Sequence, residues 1–228
     1  MKQDFERYWL SKLSTSLERS VGPDIRAKIM EGSEDLSDGT DRSEVVAWSA
    51  RAMALLDERV EAAKRFDVMT GCACQCPNTE LRGIRAKYEE TSDIDIVLEM
   101  LQKKFVSFLK DELKLSATVV DVIIRKGWGL AGRREGGKII ATKIPKSAYI
   151  ADYLKETDPV KKRAIYCHCP RIRGALMSGV SISSTYCYCG AGYYRGIWEE
   201  ILQERVRVEL LESVLKGDDV CTIAIHLP

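Results

Sequence analysis

The hydrophobic period of the chain changes near residue 115, and that change decides the fold class. Before it, apolar residues recur at helical spacing. Phe5, Trp9, Leu13 and Leu17 mark a first helix, which Gly22-Pro23 breaks. Ser43 is placed to cap a second long helix carrying Val46, Met53 and Val60, and Asn78 to cap a later one. Ser92 and Asp95 have capping-box-like spacing ahead of an amphipathic run, Ile94, Val97, Leu98, Leu101, Phe105, Phe108 and Leu109. After residue 115 the β-branched stretch 117–128 reads as a strand, with 137–145 as its hairpin partner and 163–169 as a third strand. Tyr194, Ile197, Trp198, Ile201 and Leu202 restore the helical period for one element. Two alternating strands then close the chain around the turn 216–219. The expectation is a single α+β domain over 1–228. A helical half, 1–115, packs on an antiparallel sheet of about five strands in 116–228.

Composition excludes several classes. The 35 basic and 34 acidic residues are mixed along the chain, which argues against nucleic acid as the main partner. No apolar run approaches the roughly 20 residues that cross a bilayer. The N-terminus carries acids and no long apolar core, so it does not read as a signal peptide. The chain reads as cytoplasmic, where cysteines act as metal ligands, catalysts or core residues rather than disulfides.

The chain has eight cysteines, and seven fall in three Cys-x-Cys clusters: Cys72, Cys74 and Cys76; Cys167 and Cys169; Cys187 and Cys189. Cys221 stands alone near the end. Alternate residues of a flat strand lie roughly 6.6 Å apart on one face. Two thiolates on one tetrahedral zinc sit only about 3.8 Å apart. A Cys-x-Cys pair therefore chelates one metal only if the backbone bends, or else each sulfur serves a different site. Proline follows Cys76 and Cys169, and Gly190 and Gly192 follow Cys189, so each pair stands where a regular element ends. Convergence of these sulfurs predicts a metal or reactive-thiol centre, with zinc the first expectation and an iron–sulfur cluster the second. His168, between two cysteines, is a candidate ligand or base. Tyr193, Tyr194 and Trp198, with glycines beside them on the same helix, are candidates for the wall of an apolar ligand pocket between that helix and the strands expected at 117–125 and 205–227. The glycine-rich stretch 126–138 lacks nucleotide-binding spacing and reads as a mobile hairpin loop. The segment "DPVKKRA" reads as a solvated turn.

From Tyr186 onward, "YCYCGAGYYRGIWEEILQERVRVELLESVLKGDDVCTIAIHL" resembles the C-terminal part of the 4-vinyl-reductase domain family. The family's pattern is a Cys opening a glycine- and aromatic-bearing helix, a strand with Glu-x-x-Cys, then Gly-Asp and a final Cys. Cys187, Gly217-Asp218 and Cys221 match it, whereas Leu210 and Ser213 stand where the family has Glu and the middle Cys. The resemblance implies a domain that binds a small apolar or aromatic ligand, carries zinc and forms a homodimer. It also implies replacement ligands, for which Cys189, Cys167, Cys169 and the 72–76 trio are the candidates. "CHCP" with "CYCGAGYY" is similar to a related prokaryotic Cys-rich family. The ending Gly-Asp-x-x-Cys is also similar to amino-thiazoline-carboxylate hydrolase-like proteins, which keeps a thiolate- or metal-dependent hydrolase as the alternative.

Overall fold

Gly22 and Pro23 divide the first helical stretch as their chemistry requires. Helix α1 (Phe5–Val21) opens at Asp4, whose carboxylate accepts the Arg7 amide at 2.9 Å, and stops at Gly22, which adopts φ +84°. Helix α2 (Pro23–Met30) places proline where no amide hydrogen is needed. The computed structural model describes residues 4–73 and 81–228. Helix α3 (Arg42–Arg59) is capped by Asp41, not Ser43: its carboxylate accepts the Ser43 amide at 2.7 Å. Helices α4 (Ala62–Gly71), α5 (Arg82–Thr91) and α6 (Ile94–Ser107) complete the helical half. Asp93 rather than Ser92 caps α6, and Ser92 instead ends α5 with φ +52°. The cap expected at Asn78 lies outside the described residues.

Two predicted strands are helices. Residues 117–125 form α7 (Ala117–Arg125), started by the Ser116 hydroxyl and stitched by an Asp121–Arg125 ion pair at 2.8 Å. Its buried residues Val120 and Ile123 are three apart, and β-branched composition yields to that spacing because strand propensity depends on context. The third predicted strand is α9 (Pro159–Tyr166) instead. Asp158 accepts the Lys161 amide at 2.8 Å and Pro159 takes the first helical position, so the "DPVKKRA" segment is a helix start rather than a turn.

The chain is α+β, with four strands rather than about five among the described residues: β1 (Arg133–Glu135), β2 (Lys138–Thr142), β3 (Arg207–Glu212) and β4 (Thr222–His226). They form one antiparallel sheet in the order β1-β2-β4-β3. The hairpin partner of β2 is β1, from the glycine-rich stretch, and not 117–128. Between β2 and β3 run α8 (Ile150–Lys155), α9, α10 (Pro170–Ser178) and α11 (Tyr188–Leu202). Helix α11 follows the sequence reading, with Tyr194, Ile197, Trp198, Ile201 and Leu202 all buried.

One hydrophobic cluster joins the two halves, from Trp9 and Leu101 to Trp198 and Ile223. Helix α11 is packed between α4 and β3. Its approach to α4 is close enough that a Cβ on Gly192 would stand 2.2 Å from the Thr70 carbonyl oxygen. Gly192 therefore serves helix packing, not pocket volume. Among the described residues no helix is long and apolar enough to cross a membrane.

Candidate functional site: a cavity beside the thiols

Among the described residues, the members of the pairs Cys167/Cys169 and Cys187/Cys189 make different contacts. Cys167 ends α9 and Cys169 begins α10, both with extended backbone ahead of Pro170; the Cys169 backbone hydrogen-bonds the Cys167 thiol, and the Cys169 thiol acts on it electrostatically. Cys187 and Cys189 open α11, where residues two apart lie on opposite faces. The shared strand face expected for Cys167 and Cys169, opposite His168, does not form because no strand forms.

The first neighbourhood gathers Cys167, Cys187 and Cys221, whose thiols act electrostatically on one another. The Ser213 side chain hydrogen-bonds Cys187, and the Val214 backbone hydrogen-bonds Cys221. Thus Cys187 contacts Ser213 and lies within electrostatic reach of Cys221 and Cys167. Burial pushes the Cys187 and Cys221 thiols up, and that of Cys167 up to about 12. The Lys143 ammonium pulls all three down without overcoming burial.

The second neighbourhood holds Cys169, Cys189 and the backbone of Cys72. Cys189 Sγ donates to the Cys72 carbonyl at 3.6 Å and accepts from the Trp9 indole at 3.4 Å. The Cys169 thiol donates to the Tyr186 hydroxyl at 3.5 Å. Arg171 also donates to that hydroxyl, at 3.3 Å, lies over the Trp9 ring at 4.0 Å and pairs with Glu6. Glu6 and Arg171 are fully buried, so this is a core network of charge and sulfur. Cys72 Sγ itself donates to the Met69 carbonyl at 3.1 Å. Cys74 and Cys76 lie outside the described residues. Among the described residues, no three His, Cys, Asp or Glu side chains are gathered so as to hold a metal ion.

A cavity of about 560 Å³ opens beside the first neighbourhood. Tyr193, Tyr194 and Ile197 of α11 form one wall, and Phe105 of α6 with Phe108 beyond it forms the other. Gly129 and Leu130 close one side, and Lys143, Ile144 and His168 another. Sequence reasoning placed the pocket between α11 and strands at 117–125 and 205–227. It lies instead between α11 and α6. Trp198 is not in its wall: it faces the core, 0 % exposed. Tyr193, Tyr194 and His168 are in the lining, as the sequence suggested.

Local structure explains the cavity. Helix α6 continues into a π-helical turn, Phe108–Glu112, a wider winding that recurs at functional sites. It turns Phe108 out of the core, 37 % exposed, while Leu109 stays buried. Gly129, at φ +144°, lets the loop pass against the Phe105 ring, which a Cβ would meet at 2.4 Å. The Tyr194 hydroxyl donates to the Gly129 carbonyl at 3.1 Å and fixes that loop to α11. The glycine-rich stretch thus closes a cavity wall, a role its sequence signalled only as a loop.

His168 Nε2 donates to the Ile144 carbonyl at 3.0 Å, which sets the tautomer and leaves Nδ1 as an acceptor. Burial, reinforced by the nearby Lys143 charge, lowers its pKa to about 4. The ring is neutral at physiological pH. Lys143, Phe105 and Phe108 were missed as cavity residues: one is a lone lysine after a strand, and the others read as core.

A model of a family of unknown function (DUF6144) matches residues 146–228. The matched part holds α8 to α11, β3 and β4, with the Cys167–Cys187–Cys221 neighbourhood but not the α6 wall of the cavity. No curated protein and no solved structure matches the chain.

Proposed function

We propose that this chain binds a small, largely apolar ligand in the cavity between α6 and α11. The observation that carries the reading is the cavity itself, about 560 Å³, walled by Phe105, Phe108, Tyr193, Tyr194 and Ile197, with Lys143 and His168 on one side and Lys104, Ser107, Asp111 and Glu112 along the α6 side. Apolar walls with a few fixed polar groups are the usual form of a small-molecule site. The test is a thermal-shift panel of flat aromatic and isoprenoid compounds, since a ligand that binds only the folded chain raises its stability by mass action. A concentration-dependent rise supports the reading, and a flat response across the panel removes it.

A thiolate–metal centre is the second reading, favoured by the electrostatic reach between Cys187 and the thiols of Cys221 and Cys167. Zinc is the metal that suits such sulfur donors. The described residues alone do not assemble a coordination set, so Cys74 or Cys76 would have to complete it. Metal analysis of protein purified without added metal tests it: one tightly held metal per chain supports the centre and none removes it. Of the thiolate- or metal-dependent hydrolase alternative, the thiolate form is disfavoured because burial raises the three thiols, and the metal form shares the test of the metal centre. The ligand-binding reading also carries a reducing, cytoplasmic setting and a homodimer, the latter tested by sedimentation.

A further inference from the structure

The cavity combines aromatic and aliphatic walls with a lysine on the side next to α11, Lys143. Lys143 follows β2, and its amide donates to the Cys221 carbonyl at 3.0 Å, so the backbone that carries it is part of the sheet. Its ammonium lies against the first turn of α11, 3.2 Å from where a Cβ on Gly190 would stand. That turn belongs to a helix of 15 residues, whose amide end carries partial positive charge. The same ammonium acts on Tyr193 and His168, both in the cavity lining. Among the described residues, the carboxylates in the lining, Asp111 and Glu112, belong to exposed residues on the π-helical turn, where water and salt screen them. Lys104, the other lysine of the lining, stands on the opposite wall. An anion held against Lys143 inside the cavity gains more from that cation than it would in water.

We propose that the cavity selects a small amphipathic monocarboxylate, with its carboxylate against Lys143 and its aromatic or aliphatic body between Phe105, Phe108 and Ile197. This rests on the ligand-binding reading above and adds the chemistry of the ligand's polar end. Gly190 belongs to the arrangement, because only a residue without a side chain leaves the ammonium its full space beside α11.

The experiment titrates the full chain by calorimetry with 2-naphthoate and with 2-naphthalenemethanol, which share a body and differ in charge. The acid should bind at least tenfold tighter than the alcohol. Lys143→Met should abolish that preference while changing the affinity for the alcohol less than twofold. Lys143→Arg and Lys104→Met should both keep it. Equal affinities in the unmodified chain, or a preference that survives Lys143→Met, overturn the proposal. Loss of the preference in Lys104→Met instead moves the anion to the other wall and equally overturns it. If only the alcohol binds, the ligand-binding reading stands and this inference falls; if neither binds, both fall. Thermal midpoints of each variant establish folding, and should Lys143→Met not fold, the acid-versus-alcohol comparison in the unmodified chain decides.

Discussion

The Tyr166 hydroxyl accepts the Cys221 amide hydrogen at 2.9 Å and donates to the Lys143 carbonyl at 2.7 Å. One buried phenol therefore fastens the end of β2 to the start of β4 and fixes the backbone of Lys143. Tyr166→Phe leaves the Cys221 amide and the Lys143 carbonyl without this partner. A buried group left unsatisfied costs about 1–3 kcal/mol. Urea unfolding should show a loss of that order. Binding of a carboxylate ligand should weaken more than binding of its neutral isostere. An unchanged midpoint would show that another group takes over both hydrogen bonds.

Gly192 and Gly190 lie on the same helix and should respond oppositely to alanine. A Cβ at 192 meets the Thr70 carbonyl oxygen at 2.2 Å, which is backbone and cannot swing away. Gly192→Ala must separate α4 from α11, and overpacking of this kind costs about 1–3 kcal/mol or more. At 190 the nearest atom is the Lys143 ammonium at 3.2 Å, the end of a flexible chain. Gly190→Ala should be neutral or stabilising by up to about 1 kcal/mol, from the helix preference of alanine over glycine. Thermal unfolding of the two variants side by side decides this.

Elements with strong local signals were legible before the structure. Helix α11 followed from the spacing of Tyr194, Ile197 and Trp198, and the final hairpin from alternation in β3 and β4. Residues 117–125 were not, because Val119, Val120, Val122 and Ile123 suit a strand by composition and a helix by spacing, and tertiary contacts decided between them. The start of α9 was read as a turn, although Asp158-Pro159 carries the signal of a cap and first-turn pair. Of the site, bond geometry left a bent Cys-x-Cys and two separate sites both open, and the shared face expected for Cys167 and Cys169 did not form. The cavity did not. It depends on the π-helical turn that rotates Phe108 outward, and no periodicity reports a local widening of a helix. Trp198, an aromatic next to candidate lining residues, points the other way because its position on α11 is set by the core.

Acid should destabilise the chain through His168. Its folded pKa is lowered to about 4 from 6.5, so the unfolded chain binds a proton that the folded chain refuses. The stability this group contributes is present above pH 6.5 and is lost as pH falls from 6.5 to 4, by up to about 3 kcal/mol. His168→Gln should flatten the pH dependence of stability across that window. A wild-type curve already flat between pH 4 and 6.5 would mean that the ring is protonated in the folded chain.

Alkylation of the thiols should follow their burial. Cys167, Cys187 and Cys221 are held protonated at neutral pH, and the thiolate is the reactive form. Iodoacetamide labelling read by peptide mass spectrometry should be slow at all three at pH 7. It should become complete in denaturant. Rapid native labelling of Cys187, the partly exposed member, would place a thiolate where the structure has a thiol.

The cavity is the centre of the account, and blocking it is the most direct test. Leu130 lines it from the loop and is only partly buried, so Leu130→Trp adds volume inside without opening the core. The measurement is the calorimetric dissociation constant of the strongest ligand from the thermal-shift panel, in the unmodified chain and in Leu130→Trp. The account predicts at least a tenfold weakening with the variant's unliganded thermal midpoint within about 2 °C of the parent, a stability change of no more than about 1 kcal/mol. An unchanged dissociation constant in the folded variant, or a panel with no ligand to titrate, would contradict it.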